Sequence, residues 1–172
     1  MKYISRSIDK TLEEWKESTT HKPLLLRGAR QVGKSSAVRH LGTQFKYFAE
    51  VNFESAKSIA TFFKGDLDVK LIASKISNYI QVPIIPGQTL LFLDEIQACP
   101  EAIMALRFFK EDYPELHVIA AGSLLEFALQ SLPTFGVGRI HSVFMYPMTF
   151  DEFLVAMNME GLLAMRLSLI HI

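Results

Sequence analysis

A single cysteine, Cys99, stands in the 172 residues of the chain, which excludes an intrachain disulfide and a cysteine-based metal cluster. The five histidines, His21, His40, His117, His141 and His171, stand apart without metal-ligand spacing. Neither sign of charge is in excess, with 18 Lys plus Arg against 18 Asp plus Glu. The overall balance therefore indicates no nucleic-acid partner, and only a local basic patch stays open. No apolar run reaches the roughly 18 residues that would read as a membrane span. Charges interrupt the opening MKYISRSIDKTLEEWKES, which does not read as a signal peptide. The expectation is a cytoplasmic protein without a membrane anchor. Internal repeats and low-complexity segments are also lacking.

What is present suits one globular domain with a sizeable core: 49% hydrophobic and 21% charged residues. Ile4, Ile8, Leu12 and Trp15 recur at helical spacing and predict an amphipathic N-terminal helix. Leu24 to Leu26 form a short apolar run that meets Gly28, a buried strand running into a loop. Lys34 to Leu41 suits a short helix stopped by Gly42. Phe45–Phe53 alternates as a strand, and helical stretches follow around Ala56–Phe63 and Leu67–Ile80. Thr89–Leu93 and Leu116–Ala121 are fully apolar strands. Between them Pro100 opens a helix through Phe109. A helix and a Gly/Pro loop lead to a last strand, Arg139–Tyr146. Thr149 and Glu152 form a capping box before Phe150, Phe153, Leu154 and Met157. Strands that alternate with helices and lack polar alternation predict an α/β fold, a mainly parallel sheet of about five strands covered on both faces.

Gly28-Ala29-Arg30-Gln31-Val32-Gly33-Lys34-Ser35 fits G-x-x-x-x-G-K-[ST], the loop of P-loop NTPases. Glycines let the backbone curl so that successive amides, through Ser36, point at one anion. The helix that starts near Gly33 adds its positive end. Lys34 reaches the β- and γ-phosphates, and the Ser35 hydroxyl can ligate Mg²⁺. Asp94 and Glu95 sit at the C-terminal end of the Thr89–Leu93 strand, where ligands of open α/β sheets bind. Asp94 suits Mg²⁺, held through water, and Glu95 suits a base that polarises the attacking water. The adjacent acid points to an enzyme that activates water. A guanine-reading Asn-Lys-x-Asp does not occur, so ATP is the expected nucleotide.

Ser123, after the His117 strand, reads as a sensor of the γ-phosphate or as an N-cap of the next helix. Arg139 follows the stretch Pro133–Gly138 and reads as a guanidinium for transition-state charge or as a surface arginine. Arg30 competes for that role. Gln97 lies close after Glu95, with no role assignable beyond proximity.

The ordered segments LLLRGARQVGKSS, TLLFLDEIQACP, VIAAGSLLE, GVGR and YPMTFDEFL together resemble a family of prokaryotic AAA+-like ATPases that carry a C-terminal domain of unknown function. The resemblance covers residues 20–157. It implies an additional-strand sheet, with the Ser123 strand between the loop strand and the acidic strand. It also implies phosphate and Mg²⁺ contacts at Lys34 and Ser35, the acidic pair at Asp94 and Glu95, a sensor at Ser123 and the arginine position at Arg139. The family's C-terminal domain is absent. Leu167–Ile172 read as a non-native tail of the kind a sequencing adapter encodes, or else as an apolar helix end. On the first reading, residues 1–166 are the ATPase domain of a longer protein. The expected activity is Mg²⁺-dependent ATP hydrolysis coupled to conformational change in that protein. A nucleotide-dependent switch with negligible turnover is the alternative, and a small-molecule kinase a third. The partners are ATP, the missing C-terminal domain, and either a second copy or another protein.

Overall fold

The computed structural model describes residues 3–123, Leu125 and residues 138–170. Helix α1 (Ile8–Glu17) buries Ile8, Leu12 and Trp15. Ile4, grouped with them by spacing, lies before the helix and is exposed. Strand β1 (Leu24–Arg27) leads into helix α2 (Lys34–Gly42), and β2 (Tyr47–Asn52) follows. A 3-10 segment (Lys57–Phe63), α3 (Val69–Ile80), β3 (Thr89–Asp94) and a short 3-10 turn (Ile96–Ala98) come next. Then come α4 (Pro100–Asp112), β4 (His117–Ala121), β5 (His141–Phe144), α5 (Phe150–Ala156) and α6 (Glu160–Ile170). The helix and loop expected between Ser123 and Gly138 lie, apart from Leu125, outside the described residues. Among the described residues no helix is long and apolar enough to cross a membrane.

The five strands form one sheet in the order β2-β3-β4-β1-β5, and every pairing is parallel. The five-stranded parallel sheet of the sequence analysis is thus observed, with β4 inserted between β1 and β3. Successive side chains of a strand point to opposite faces, and here both faces are apolar. Leu25, Leu91, Leu93, Val118 and Ala120 join the core under the 3-10 segment, α3 and α4. Leu24, Leu26, Leu90, Phe92, Ile119 and Ala121 join the core under α1 and α2. This is the arrangement that apolar runs without alternation predict.

Four local expectations change, each for a physical reason. The first helical stretch is 3-10, beginning at Lys57. Before it, the Asn52 side chain accepts hydrogen bonds from the Glu54 and Ser55 amides at 3.0 and 3.1 Å and holds a turn there. Helix α3 starts two residues after Leu67, because Asp68 caps it by accepting from the Lys70 and Leu71 amides. Gly42 does not stop α2 through a left-handed conformation; it is helical, and a Cβ there would overlap the Phe48 ring. Strand β5 is shorter than Arg139–Tyr146. Its sheet neighbour among the described residues, β1, has four residues to pair with, Leu24 with His141 through Arg27 with Phe144.

The expected capping box is present, and it reaches further than its own helix. The Thr149 hydroxyl accepts from the Glu152 amide, and Glu152 accepts from the Thr149 amide at 2.8 Å. Glu152 also accepts from the Ser7 amide at 2.7 Å and the Ser7 hydroxyl at 2.8 Å, and pairs with the Arg6 guanidinium at 3.2 Å. Burial alone would raise the Glu152 carboxyl, but the bonds from Ser7 and Thr149 and the Arg6 charge outweigh it. They hold it down at about 2, against an ordinary 4.5. A carboxylate with a depressed folded pKa stabilises the fold above its unfolded pKa. The contribution is lost as pH falls through 4.5 towards the folded value of about 2. Glu152→Gln should therefore cost about 1–2 kcal/mol at neutral pH, allowing for solvent screening. Urea titrations of both chains should show this gap narrowing between pH 5 and pH 3, on the order of the window that linkage sets. A gap independent of pH would assign the loss to shape and not to charge.

Candidate active site

The segment from Gly28 to Gly33 turns because three of its residues take left-handed backbone. These are Gly28 at φ 142°, Gln31 at φ 63° and Gly33 at φ 100°. Gly28 is glycine for two reasons. Its φ disfavours a side chain, and a Cβ would overlap the carbonyl oxygen of Met145, just past β5. Gly33 has room for a Cβ and is held to glycine by φ alone. It is also the N-cap of α2 and makes no side-chain cap, so no side chain of its own blocks the helix's positive end. Arg6 braces the loop by donating to the Val32 carbonyl and to the Tyr146 carbonyl, both at 2.9 Å. Ala29, Arg30, Gln31 and Ser36 are exposed along the loop and the first turn of α2.

Lys34 is buried, and its ammonium donates to the Gly28 and Ala29 carbonyls at 2.9 and 2.8 Å. Burial lowers its pKa, and the charges of Glu95 and Asp94 partly offset that. The Ser35 hydroxyl reaches both Asp94 carboxylate oxygens, at 3.1 and 3.0 Å. Asp94, 4% exposed, also accepts from the Asn52 side chain at 3.3 Å and the Glu95 amide at 3.1 Å. Burial raises the Asp94 carboxyl, the Ser35 bond lowers it, and the Glu95 charge raises it again, for a net upward shift. Asn52 meets Asp94 because β2 and β3 pair in register and end together. Two residues 59 apart in sequence thus place a hydroxyl and a carboxylate in contact, both hard oxygen donors of the kind Mg²⁺ takes.

Glu95 itself sits at φ 50°, ψ 45°, a left-handed conformation that costs a non-glycine residue about 1 kcal/mol. Gln97 donates to its carboxylate at 2.6 Å. Ser123 is half-buried just past β4. Because β4 lies between β1 and β3, its end opens at the same sheet edge as the loop and the acidic pair. The residues needed to judge an N-cap at Ser123 lie largely outside the described ones.

Arg139 is not brought to this edge. It precedes His141, which pairs with Leu24, the first residue of β1, whereas the loop follows the last. A four-residue strand spans roughly 10 Å or more, so Arg139 stands at the opposite end of the sheet. There it is half-exposed and ion-paired with Glu111 at 2.5 Å. From there it does not reach the chain's own phosphate loop. Arg30 remains on the loop and exposed.

Beside the loop lies a pocket of about 690 Å³, walled by Tyr3, Ile4, Gln31, Val32, His40 and Met148. The Tyr3 and His40 rings stack at 4.0 Å. Tyr3, Arg6, Asn52, His40 and Met148 carry no motif signal, and the fold alone assembles them. Another pocket, about 450 Å³ among Trp15, His21 and His141, lies at the far end of the sheet from these groups.

Compared with known protein families, the chain matches an AAA domain over residues 20–154. No curated protein matches it. The matched span runs from the approach to β1 through the loop, the acidic pair and β5 into α5.

The contact between Gly28 and Met145 makes the loop intolerant of one methyl group. Gly28→Ala should lower folding stability by about 2–4 kcal/mol, because the obstacle is backbone and the conformation is strained. Gly33→Ala should cost only about 1–2 kcal/mol, from backbone conformation alone. Chemical denaturation of the two variants ranks them, and equal costs would show that the Met145 carbonyl moves aside freely.

Proposed function

The chain belongs to the AAA-domain family, and from that premise we propose that it binds ATP with Mg²⁺ and hydrolyses it, driving conformational change in a larger protein. The observation that carries this reading is the contact between Ser35 and Asp94, with buried Lys34 beside them. A helix-start hydroxyl beside a strand-end carboxylate suits a hard cation held between phosphates and protein.

In this mechanism the loop amides from Gly28 to Ser36 and the start of α2 receive the β- and γ-phosphates. The Lys34 ammonium exchanges the Gly28 and Ala29 carbonyls for phosphate oxygens. Ser35 and Asp94 would hold Mg²⁺, which when bound neutralises phosphate charge. Asn52 keeps the Asp94 carboxylate oriented. Glu95 takes the proton of the attacking water. Ser123 donates to the γ-phosphate or to that water. The adenine of ATP lies in the pocket walled by Tyr3, His40 and Met148. Arg139 acts, in this reading, on the nucleotide of a second copy, since only another chain's loop can approach it. The larger protein's C-terminal domain, beyond residues 1–166, is the expected recipient of the motion.

Three variants of the full-length protein test the chemistry. Lys34→Ala should weaken ATP binding by at least about tenfold, since it removes a charge-assisted contact. Glu95→Gln should keep ATP affinity and lose about 10²–10⁴ in turnover, the size of a general-base contribution. Asp94→Asn should impair binding only when Mg²⁺ is present. Calorimetry and phosphate release read these out. Tight ATP binding by wild type with no phosphate release would replace hydrolysis with a nucleotide switch.

A mixing experiment tests Arg139. Arg139→Ala should lower turnover by about 10³ while ATP affinity barely changes, because an arginine finger stabilises the transition state. Mixed Arg139→Ala and Glu95→Gln subunits should recover activity, since one interface then holds both intact groups. No recovery despite subunit exchange would reject action between copies.

A further inference from the structure

We infer that Gln97 is a positioning residue for Glu95: its amide fixes one oxygen of that carboxylate and leaves the other to take a proton from water. The inference rests on the reading of Glu95 as the base. The contact is short, 2.6 Å from the Gln97 side-chain nitrogen to the Glu95 carboxylate. It is built on a rigid piece of backbone. Gln97 lies in the 3-10 turn Ile96–Ala98, closed by hydrogen bonds from the Ala98 amide to the Glu95 carbonyl at 3.0 Å and from Cys99 to Ile96 at 2.9 Å. Ile96, fully buried, anchors that turn in the core. The left-handed backbone of Glu95 turns the chain at the strand end, so that the residue two positions on can reach back to it.

The choice of an amide is chemically specific. A lysine or arginine would hold the carboxylate as firmly, but its charge would favour the ionised form and weaken it as a base. A neutral N–H donor orients the carboxylate without placing a full charge beside it. One orientation of the amide is allowed, because the flipped form would set its carbonyl oxygen against the carboxylate. In the allowed orientation the Gln97 carbonyl oxygen is buried without a hydrogen-bond partner in the protein. A fold that needed Gln97 for stability alone would be better served by an apolar side chain of the same size. The unsatisfied oxygen rests against Gly122, where a Cβ would overlap it. Gly122 therefore leaves the space that the amide oxygen occupies, and it immediately precedes Ser123 at the end of β4. Through these contacts the proposed base and the proposed sensor share one packed unit.

The test is steady-state ATP hydrolysis by the full-length protein with Gln97→Leu, Gly122→Ala and Glu95→Gln, alone and combined. Gln97→Leu should lower kcat at least tenfold with KM for ATP within twofold. Its Tm should be unchanged or higher, because the unsatisfied carbonyl is gone. Gly122→Ala should reproduce the kcat loss with Gln97 intact, by displacing its amide. In a Glu95→Gln background, Gln97→Leu should have no further effect on single-turnover hydrolysis. Unchanged or raised kcat in Gln97→Leu, beside an inactive Glu95→Gln, overturns the positioning role and leaves the base in place. The same loss in both backgrounds makes Gln97 merely structural and overturns it too. Wild-type turnover by Glu95→Gln instead rejects the base, which separates that failure from this one.

Discussion

A strand buried on both faces by helices has nowhere along its length to keep an unpaired charge. All six residues of β3 are buried, five of them by apolar packing or hydrogen bonding within the core, and the sixth is Asp94. The charge stands at the terminus because burial without a partner costs too much anywhere earlier on the strand. The same holds for β1, whose buried leucines give way first to Arg27 and then to the loop. Parallel pairing brings those termini to one edge, and the insertion of β4 between β1 and β3 spaces them.

Once gathered there, the polar groups depend on one another. Burial works against charge on both Lys34 and Asp94, lowering the pKa of one and raising that of the other. Part of that cost is offset by opposite charge across the site and part by hydrogen bonds from Ser35 and Asn52. The loop carbonyls of Gly28 and Ala29 complete the lysine's shell. The whole is polar, desolvated and held by short contacts, so small displacements change electrostatics strongly.

The N-terminal segment and α5 are joined to that site by one guanidinium. Arg6 donates to the loop at Val32 and to the chain after β5 at Tyr146, and pairs with Glu152 of α5. Its three contacts span residues 146 positions apart, from Arg6 to Glu152. A shift of the loop therefore bears on α5 through a rigid, planar group. Helix α5 presents Phe150 and Phe153 outward and buries Leu154, so it is held to the body mainly at its N-terminal end.

Whatever depends on neighbouring residues was legible along the chain. Unbroken apolar runs required strands covered on both sides, Thr149 with Glu152 required a capped helix start, and Gly28 with Gly33 required backbone that bends without a side chain. Spacing within Gly28–Ser35 and the placement of Asp94 and Glu95 at a strand end identified most of the site for the same reason. What needed the tertiary structure was every relation between distant segments. Strand order set Ser123 near the loop and carried Arg139 to the opposite end. A four-residue β1 limited β5 to four paired residues. Tyr3, His40 and Met148 meet only because their elements pack around α2 and the loop. Gly42, legible as a helix stop, is glycine because the Phe48 ring lies against it. Gln97 stands two residues from Glu95, yet only the fold shows its buried amide set against Gly122. Local patterns register the backbone's short-range needs, whereas contacts made across a parallel sheet are set by pairing register and packing, which no short stretch of sequence contains.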